Sequence, residues 1–301
     1  MHQSQDNESA GARYTQLQMN AQAAISAMEL YEAFGETEYL SRGVSFARIL
    51  MACQASAVDP SFSIPLRGYF YENETHERIQ TYYHRSYEHA PIKAFAMLYR
   101  LAPEHEDAAR WKNSLELYRE YVALTSRTVP YGLLPNGIYE LDNTDFSTIT
   151  HEGARAAGAP SLEEYNAQVR NGIRLNDRFY LRVFPVAYQF RGFHATLMGR
   201  ALAAMELARA LNDREIKQVA VRQMEWILGC NPFAVSSMYG EGHDYHPLYA
   251  PMSPQLVGAV PVGFETFENE DQPFYPMQNN ATYKEVWVHT TCRMMWLIAM
   301  L

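Results

Sequence analysis

The chain has 301 residues, 48% of them hydrophobic and 20% charged, with a net charge of −9. That length and apolar share suffice for one large core or two small ones, and the acidic balance argues against a nucleic-acid partner, which requires a surplus of Lys and Arg. No apolar run reaches the length of a membrane span, and the three cysteines, Cys53, Cys230 and Cys292, are too few for a disulfide framework and lack metal-ligand spacing.

Residues 1–12 are polar and read as a loosely held start, without the apolar region that a secretory signal carries; residues 13–301 read as one domain of helical hairpins. From Tyr14 apolar residues recur at helical spacing: Ala24, Met28 and Tyr31, then Tyr39, Val44, Ala47 and Leu50. Between the two sets Gly35 is expected to end one helix and Thr37 to cap the next. The stretch AISAMELYEAFGETEYL at 24–40 returns without a gap as ALAAMELARALNDREIK at 201–217. A weaker copy, IKAFAMLYRLAPEHEDAARW at 92–111, sets Leu98-Tyr99 on the Leu30-Tyr31 position. Repeats of about 40 residues predict αα-hairpins stacked in an open solenoid or a closed toroid.

Long aromatic stretches at 56–85, 127–160 and 230–282 separate the hairpins. Loops of that length in a compact domain usually carry function. The 21 Tyr, 14 Phe and 4 Trp serve cores first, and their flat faces also suit the C–H faces of pyranose rings. In TYYHRSYEHAP (81–91), Tyr82, Tyr83, His84, Arg85, Tyr87, Glu88 and His89 gather before a helix. One reading is a sugar-binding cluster with His84 or Arg85 reaching hydroxyls; the other is an ordinary capped helix start with tyrosine packing. His84 and His89 are five apart, poor spacing for two metal ligands on one helical face. His194 reads as a helix-start histidine, and the acidic ENED at 268–271 as a solvated loop. No phosphate-binding glycine loop, Ser-His-Asp order or reactive-cysteine setting occurs, so neither a cofactor nor a metal is expected.

The last helix is expected from Thr282 to Leu301, with Tyr283, Trp287, Thr290, Met294, Leu297 and Leu301 on its core face. Glu285 then falls in the first turn, on another face with His289, Cys292 and Trp296. A glutamate there is stabilising and needs no further role.

The most specific stretch is WILGCNPFAVSSMYGEG, residues 226–242, where a helix stops at Gly229 and Asn231-Pro232 starts a turn. It resembles the LGxNP segment of the family 9 glycoside hydrolases, inverting endoglucanases with an (α/α)6 barrel. The segments that follow are similar in order: HDYHPLY (243–249), VGAVPVG (257–263), ENEDQPFYP (268–276) and YKEVWVH (283–289). The resemblance runs from about residue 20 to the end of the chain. It implies an all-α, (α/α)6-barrel-like toroid of αα-hairpins with long loops at one end. It also implies hydrolysis of a β-linked glucan or related polysaccharide or oligosaccharide, outside the cytoplasm, with carbohydrate as the partner.

By the same resemblance Glu285 takes the position of the general acid, and Asp271 matches the Asp before the terminal helix. His243, Tyr245 and His246 stand in place of the family's His/Arg loop, and Tyr239 and Trp287 join them as candidate sugar contacts. Hydrolysis needs one carboxylic acid to protonate the leaving oxygen and one carboxylate to activate water. The DAGD-like motif that carries the family's base does not occur, and about four hairpins are visible where six close such a barrel, so the ring is expected to be incomplete. Two other readings stay open: a carbohydrate-binding relative without activity, and an αα-toroid polysaccharide lyase or unsaturated-uronide hydrolase using the Tyr/His/Arg run at 82–85.

Overall fold

The computed structural model describes residues 15–81, 87–143, 161–186, 192–249, 255–266, 270–275 and 281–301. Its main helices are α1 (Gln16–Phe34), α2 (Thr37–Ala52), α3 (Ala90–Leu101), α4 (Ala108–Thr128), α5 (Leu162–Arg170), α6 (His194–Leu211) and α7 (Arg214–Ile227). A single turn, α8 (Ala281–Lys284), precedes the last helix, α9 (Val288–Ala299).

The repeat seen in the sequence is a repeat in backbone geometry. α1 ends on Gly35 at φ 72°, α6 ends on Asn212 at φ 53°, and the two positions align in the 24–40 and 201–217 copies. Both occupy the left-handed region, which glycine and asparagine enter most cheaply. The following residue starts the return helix. Asp213 caps α7 by accepting the N–H groups of Glu215 and Ile216. The cap of α2 is Glu36, without a side-chain bond, and Thr37 is already helical, so the expected Thr37 cap lies one residue too late.

Three hairpins result, α1–α2, α3–α4 and α6–α7, with α9 as a lone last helix among the described residues, rather than four hairpins. α1 packs on α3, α3 on α6 and α6 on α9, forming an inner layer. α2, α4 and α7 back onto their hairpin partners as an outer layer. Burial follows this order: every residue from Gly192 to Met205 is buried, whereas α7 buries one face through Ile216, Val219, Ala220, Gln223 and Ile227.

Ion pairs give the sense of the inner helices. Glu29 meets Lys93 at 3.0 Å and Glu32 meets Arg100 at 2.7 Å, so α1 and α3 run parallel. Short turns (35–36, 102–107, 212–213) join inner to outer helices, and long segments (53–89, 129–193, 228–280) join outer to the next inner helix. The long segments therefore gather at the N-terminal end of the inner layer, as expected of an αα-toroid.

Within them lies a small antiparallel sheet of β1 (Gly137–Glu140), β2 (Ile173–Arg174) and β3 (Phe179–Arg182), in the order β1-β3-β2 with Ile138 opposite Leu181. A two-stranded pair, β4 (Glu265–Thr266) and β5 (Pro273–Phe274), follows. One apolar core runs from Leu17 to Leu297, with a satellite of Tyr139, Tyr165, Val169, Tyr180 and Val186 under the sheet and α5. No helix among the described residues is long and apolar enough to cross a membrane.

Candidate active site

Glu285 does not open the last helix. The chain leaves α8 at Lys284, runs extended through Glu285, Val286 and Trp287 (φ −115°, ψ 140° at Trp287), and only then enters α9. Backbone pairing holds this break open. Val286 bridges Pro261, Val262 donates its N–H to the Glu285 carbonyl at 2.9 Å, and Gly263 donates to the Tyr283 carbonyl at 2.8 Å. Tyr249 donates to the Lys284 carbonyl at 3.0 Å. Thr290 closes the other side by donating its hydroxyl to the Val260 carbonyl at 2.7 Å. A helical periodicity in the sequence is thus overridden by partners from two other loops. The expected core stripe survives at Tyr283, Thr290, Met294 and Leu297, but Leu301 is 57% exposed and Trp287 has moved into the break.

The 260–264 segment is fastened in turn to the start of α6. Phe193 and His194 donate their N–H groups to the carbonyls of Phe264 and Val262, both at 3.0 Å. The fully buried His194 ring lies between the Pro261 carbonyl, 3.0 Å from Nδ1, and the Phe264 N–H, 3.4 Å from Nε2. Those partners require a neutral ring with the proton on Nδ1. Burial pushes its pKa down to about 3. Gly263, at φ 86°, lets the ring approach: a Cβ there would sit 2.0 Å from His194. His194 is therefore a structural clamp, in line with its reading as a helix-start histidine.

The LGCNP turn supports the same segment. Asn231 donates Nδ2 to the carbonyls of Trp226 and Val235, at 2.7 and 2.9 Å, and accepts from the Phe233 N–H. Phe233 then stacks on Phe264 with ring centres 5.4 Å apart.

Around the break, the Trp287 indole N–H donates to Glu285 Oε2 at 2.7 Å, and Glu285 is half-buried. Tyr239 is tied to the 258–259 backbone and meets Tyr245 edge-on at 5.2 Å, leaving Tyr245 40% exposed. His246 packs edge-on against Tyr275 at 4.2 Å. Its pKa is lowered by burial and then by the Lys284 ammonium, so the 243–249 loop and the Glu285 break are electrostatic neighbours. Lys284 is itself fully buried, which lowers its pKa. His243 is exposed on the same loop. The structure thus gathers Glu285 and Trp287, and Tyr239 and Tyr245, into contacting pairs. Tyr82, Tyr83, His84 and Arg85 lie outside the described residues.

Asp271 is not a solvated acid. Its carboxylate accepts the N–H groups of Val183 (3.0 Å) and Phe184 (2.9 Å) and pairs with the fully buried Arg182 at 3.4 Å. Burial raises its pKa, and Arg182 and the two backbone donors oppose that rise. No group of three or more His, Cys, Asp and Glu side chains among the described residues is arranged to hold a metal ion.

A second concavity at this end was not legible in the sequence. Tyr69, Phe70, Tyr118 and Tyr121 wall a pocket of about 550 Å³, its mouth included, whose polar lining includes Glu88, Asn136 and Arg200. These residues come from five separate segments, and helical spacing alone does not distinguish Tyr118 and Tyr121 from tyrosines that fill a core.

No protein family's sequence profile matches the chain, and neither does any curated protein sequence. Solved structures do. The cellulase Cel9M of C. cellulolyticum superposes at a TM-score of 0.52 and 14% identity, covering 100% of this chain and 52% of that one. A Bacteroides ovatus GH9 structure gives 0.47 at 13% identity, over 93% and 39%. Endoglucanase CelQ from Clostridium thermocellum, complexed with cellobiose and cellotriose, gives 0.31 at 16% identity, over 99% and 65%. The chain spans about half the length of Cel9M. At these identities the likeness to Cel9M shows the fold, an all-α toroid of αα-hairpins of the glycoside hydrolase family 9 type.

Proposed function

We propose that the chain hydrolyses the glycosidic bond of a β-linked glucan or related polysaccharide or oligosaccharide, outside the cytoplasm. Glu285 protonates the leaving oxygen. A carboxylate on the far face of the sugar ring activates water, and the sugar configuration inverts. Trp287 hydrogen-bonds the acid; Tyr239, Tyr245, His246 and Trp287 contact the sugar, His243 and the Tyr83–Arg85 run extend the contact surface, and no metal or cofactor takes part. The observation that carries this reading is the setting of Glu285. It is a half-buried carboxyl in an extended break, braced by two loop segments at the end of the toroid where the long loops gather. Such bracing gives a proton donor the fixed geometry that acid catalysis needs.

Glu285→Gln tests it. On mixed-linkage β-glucan and cello-oligosaccharides, release of reducing ends should fall at least about 100-fold, with the fold intact by circular dichroism. Unchanged turnover overturns the assignment. Sugar binding without turnover in the wild type favours the non-catalytic relative. Ultraviolet absorbance from an unsaturated product on uronic-acid polymers favours the lyase.

A further inference from the structure

We propose that the aromatic pocket between α1, α3, α4 and α6 is a binding site for one pyranose ring of a neutral saccharide, held by Arg200 and Asn136. It rests on the glycoside hydrolase reading and names a subsite of it. The walls are a continuous run of rings: Tyr69 and Tyr121 lie 6.2 Å apart, Tyr118 and Tyr121 6.0 Å, Phe70 and Tyr118 6.0 Å. Burial raises the pKa of the Tyr69, Tyr118 and Tyr121 phenols, Tyr121 to about 12, so they remain neutral donors and acceptors.

Two polar side chains in the lining have hydrogen bonds to spare. Asn136 is 2% exposed; its Oδ1 accepts the Tyr139 hydroxyl, and its Nδ2 has no partner among the described residues. Arg200, 8% exposed, donates to the Asn136 carbonyl and sits 3.9 Å from Glu88 Oε1. Its remaining guanidinium N–H groups have no hydrogen-bond partner among the described residues. Asn136 Nδ2 is a buried donor left unspent, which is destabilising, and native structures seldom keep one without a reason. A ligand that brings acceptors removes the cost. Sugar hydroxyls are such acceptors, and the C–H face of the ring matches the tyrosine wall. Glu88 beside Arg200 balances the local charge, which favours a neutral sugar over a uronate, whose carboxylate would meet that of Glu88.

The test uses Glu285→Gln protein, so that binding is measured without turnover. Titration with cellotetraose is expected to give a Kd weakened about tenfold or more by Asn136→Ala or Tyr121→Leu in that background. Should the asparagine variant melt, Tyr121→Leu carries the comparison. A third measurement needs no pocket variant: irradiating tyrosine ring protons should transfer saturation to methyl β-glucopyranoside and less to the methyl glucuronide. An unchanged Kd in pocket variants that keep their melting temperature, or preference for the glucuronide, overturns the inference. The outcomes separate from those of the hydrolase reading. Loss of turnover in Glu285→Gln with pocket variants of unchanged Kd overturns the pocket alone. Pocket binding in a wild type without turnover overturns hydrolysis alone.

Discussion

Trp287 donates its indole N–H to Glu285 Oε2 at 2.7 Å, although the two side chains would point away from each other on a helix. The bond exists because the chain is extended between α8 and α9. It fixes the carboxyl's orientation, so Trp287→Phe, which keeps the ring and removes the donor, should lower kcat about tenfold. That corresponds to the roughly 1–1.5 kcal/mol of one hydrogen bond. Stability should change little, and an unaltered kcat in steady-state kinetics would show that the bond positions nothing.

Gly263 and Gly35 both have positive φ, 86° and 72°, but differ in surroundings. A Cβ on Gly35 meets nothing within 4 Å, whereas on Gly263 it meets the His194 ring at 2.0 Å. Gly35→Ala should therefore cost only the backbone strain, about 1 kcal/mol. Gly263→Ala should cost about 3 kcal/mol or more, because the ring cannot retreat without breaking its two hydrogen bonds. Urea unfolding of the two variants makes the comparison, and equal costs would refute the close-approach explanation.

His89 and His194 are both buried, and burial depresses the pKa of each to about 3. The unfolded chain takes up these protons near pH 6.5 and the folded protein does not. Their contribution is therefore whole above about pH 6.5 and is lost as pH falls toward 3, by up to about 1.4 kcal/mol per pH unit for each histidine. Asp271, held above the ordinary carboxylate range, works in the opposite sense at the acid end, so the useful window is pH 5–7. Urea midpoints across that window should fall with pH, and His194→Asn should make the slope shallower by one proton.

Asp271 and Arg182 have side chains 9% and 0% exposed and hold β3 to the loop before β5. Asp271→Ala leaves the buried Arg182 guanidinium, which still donates to the carbonyls of Gln168, Phe184 and Pro185, without its counter-charge, and two backbone N–H groups without their acceptor. The expected loss is about 3–5 kcal/mol, read as a lower urea midpoint. A loss under about 1 kcal/mol would mean that water replaces the carboxylate.

The sequence by itself determined the hairpin repeat and its turns. Gly35 and Asn212 act through their own backbone preferences, so their aligned positions predicted aligned geometry. It also marked 230–282 as loop, since Gly, Pro and Asn punctuate loops wherever they fall, while the family resemblance of the segments from 226 to 289 is what pointed to Glu285. Only the tertiary structure decided how that glutamate is held. TYKEVWVH has the spacing of a helix, and nothing local says that Pro261, Val262 and Gly263 will claim its backbone. The Asn136–Arg200 pocket lay further out of reach. Its walls come from segments more than a hundred residues apart, and a tyrosine that lines a cavity has the same helical period as one that fills a core.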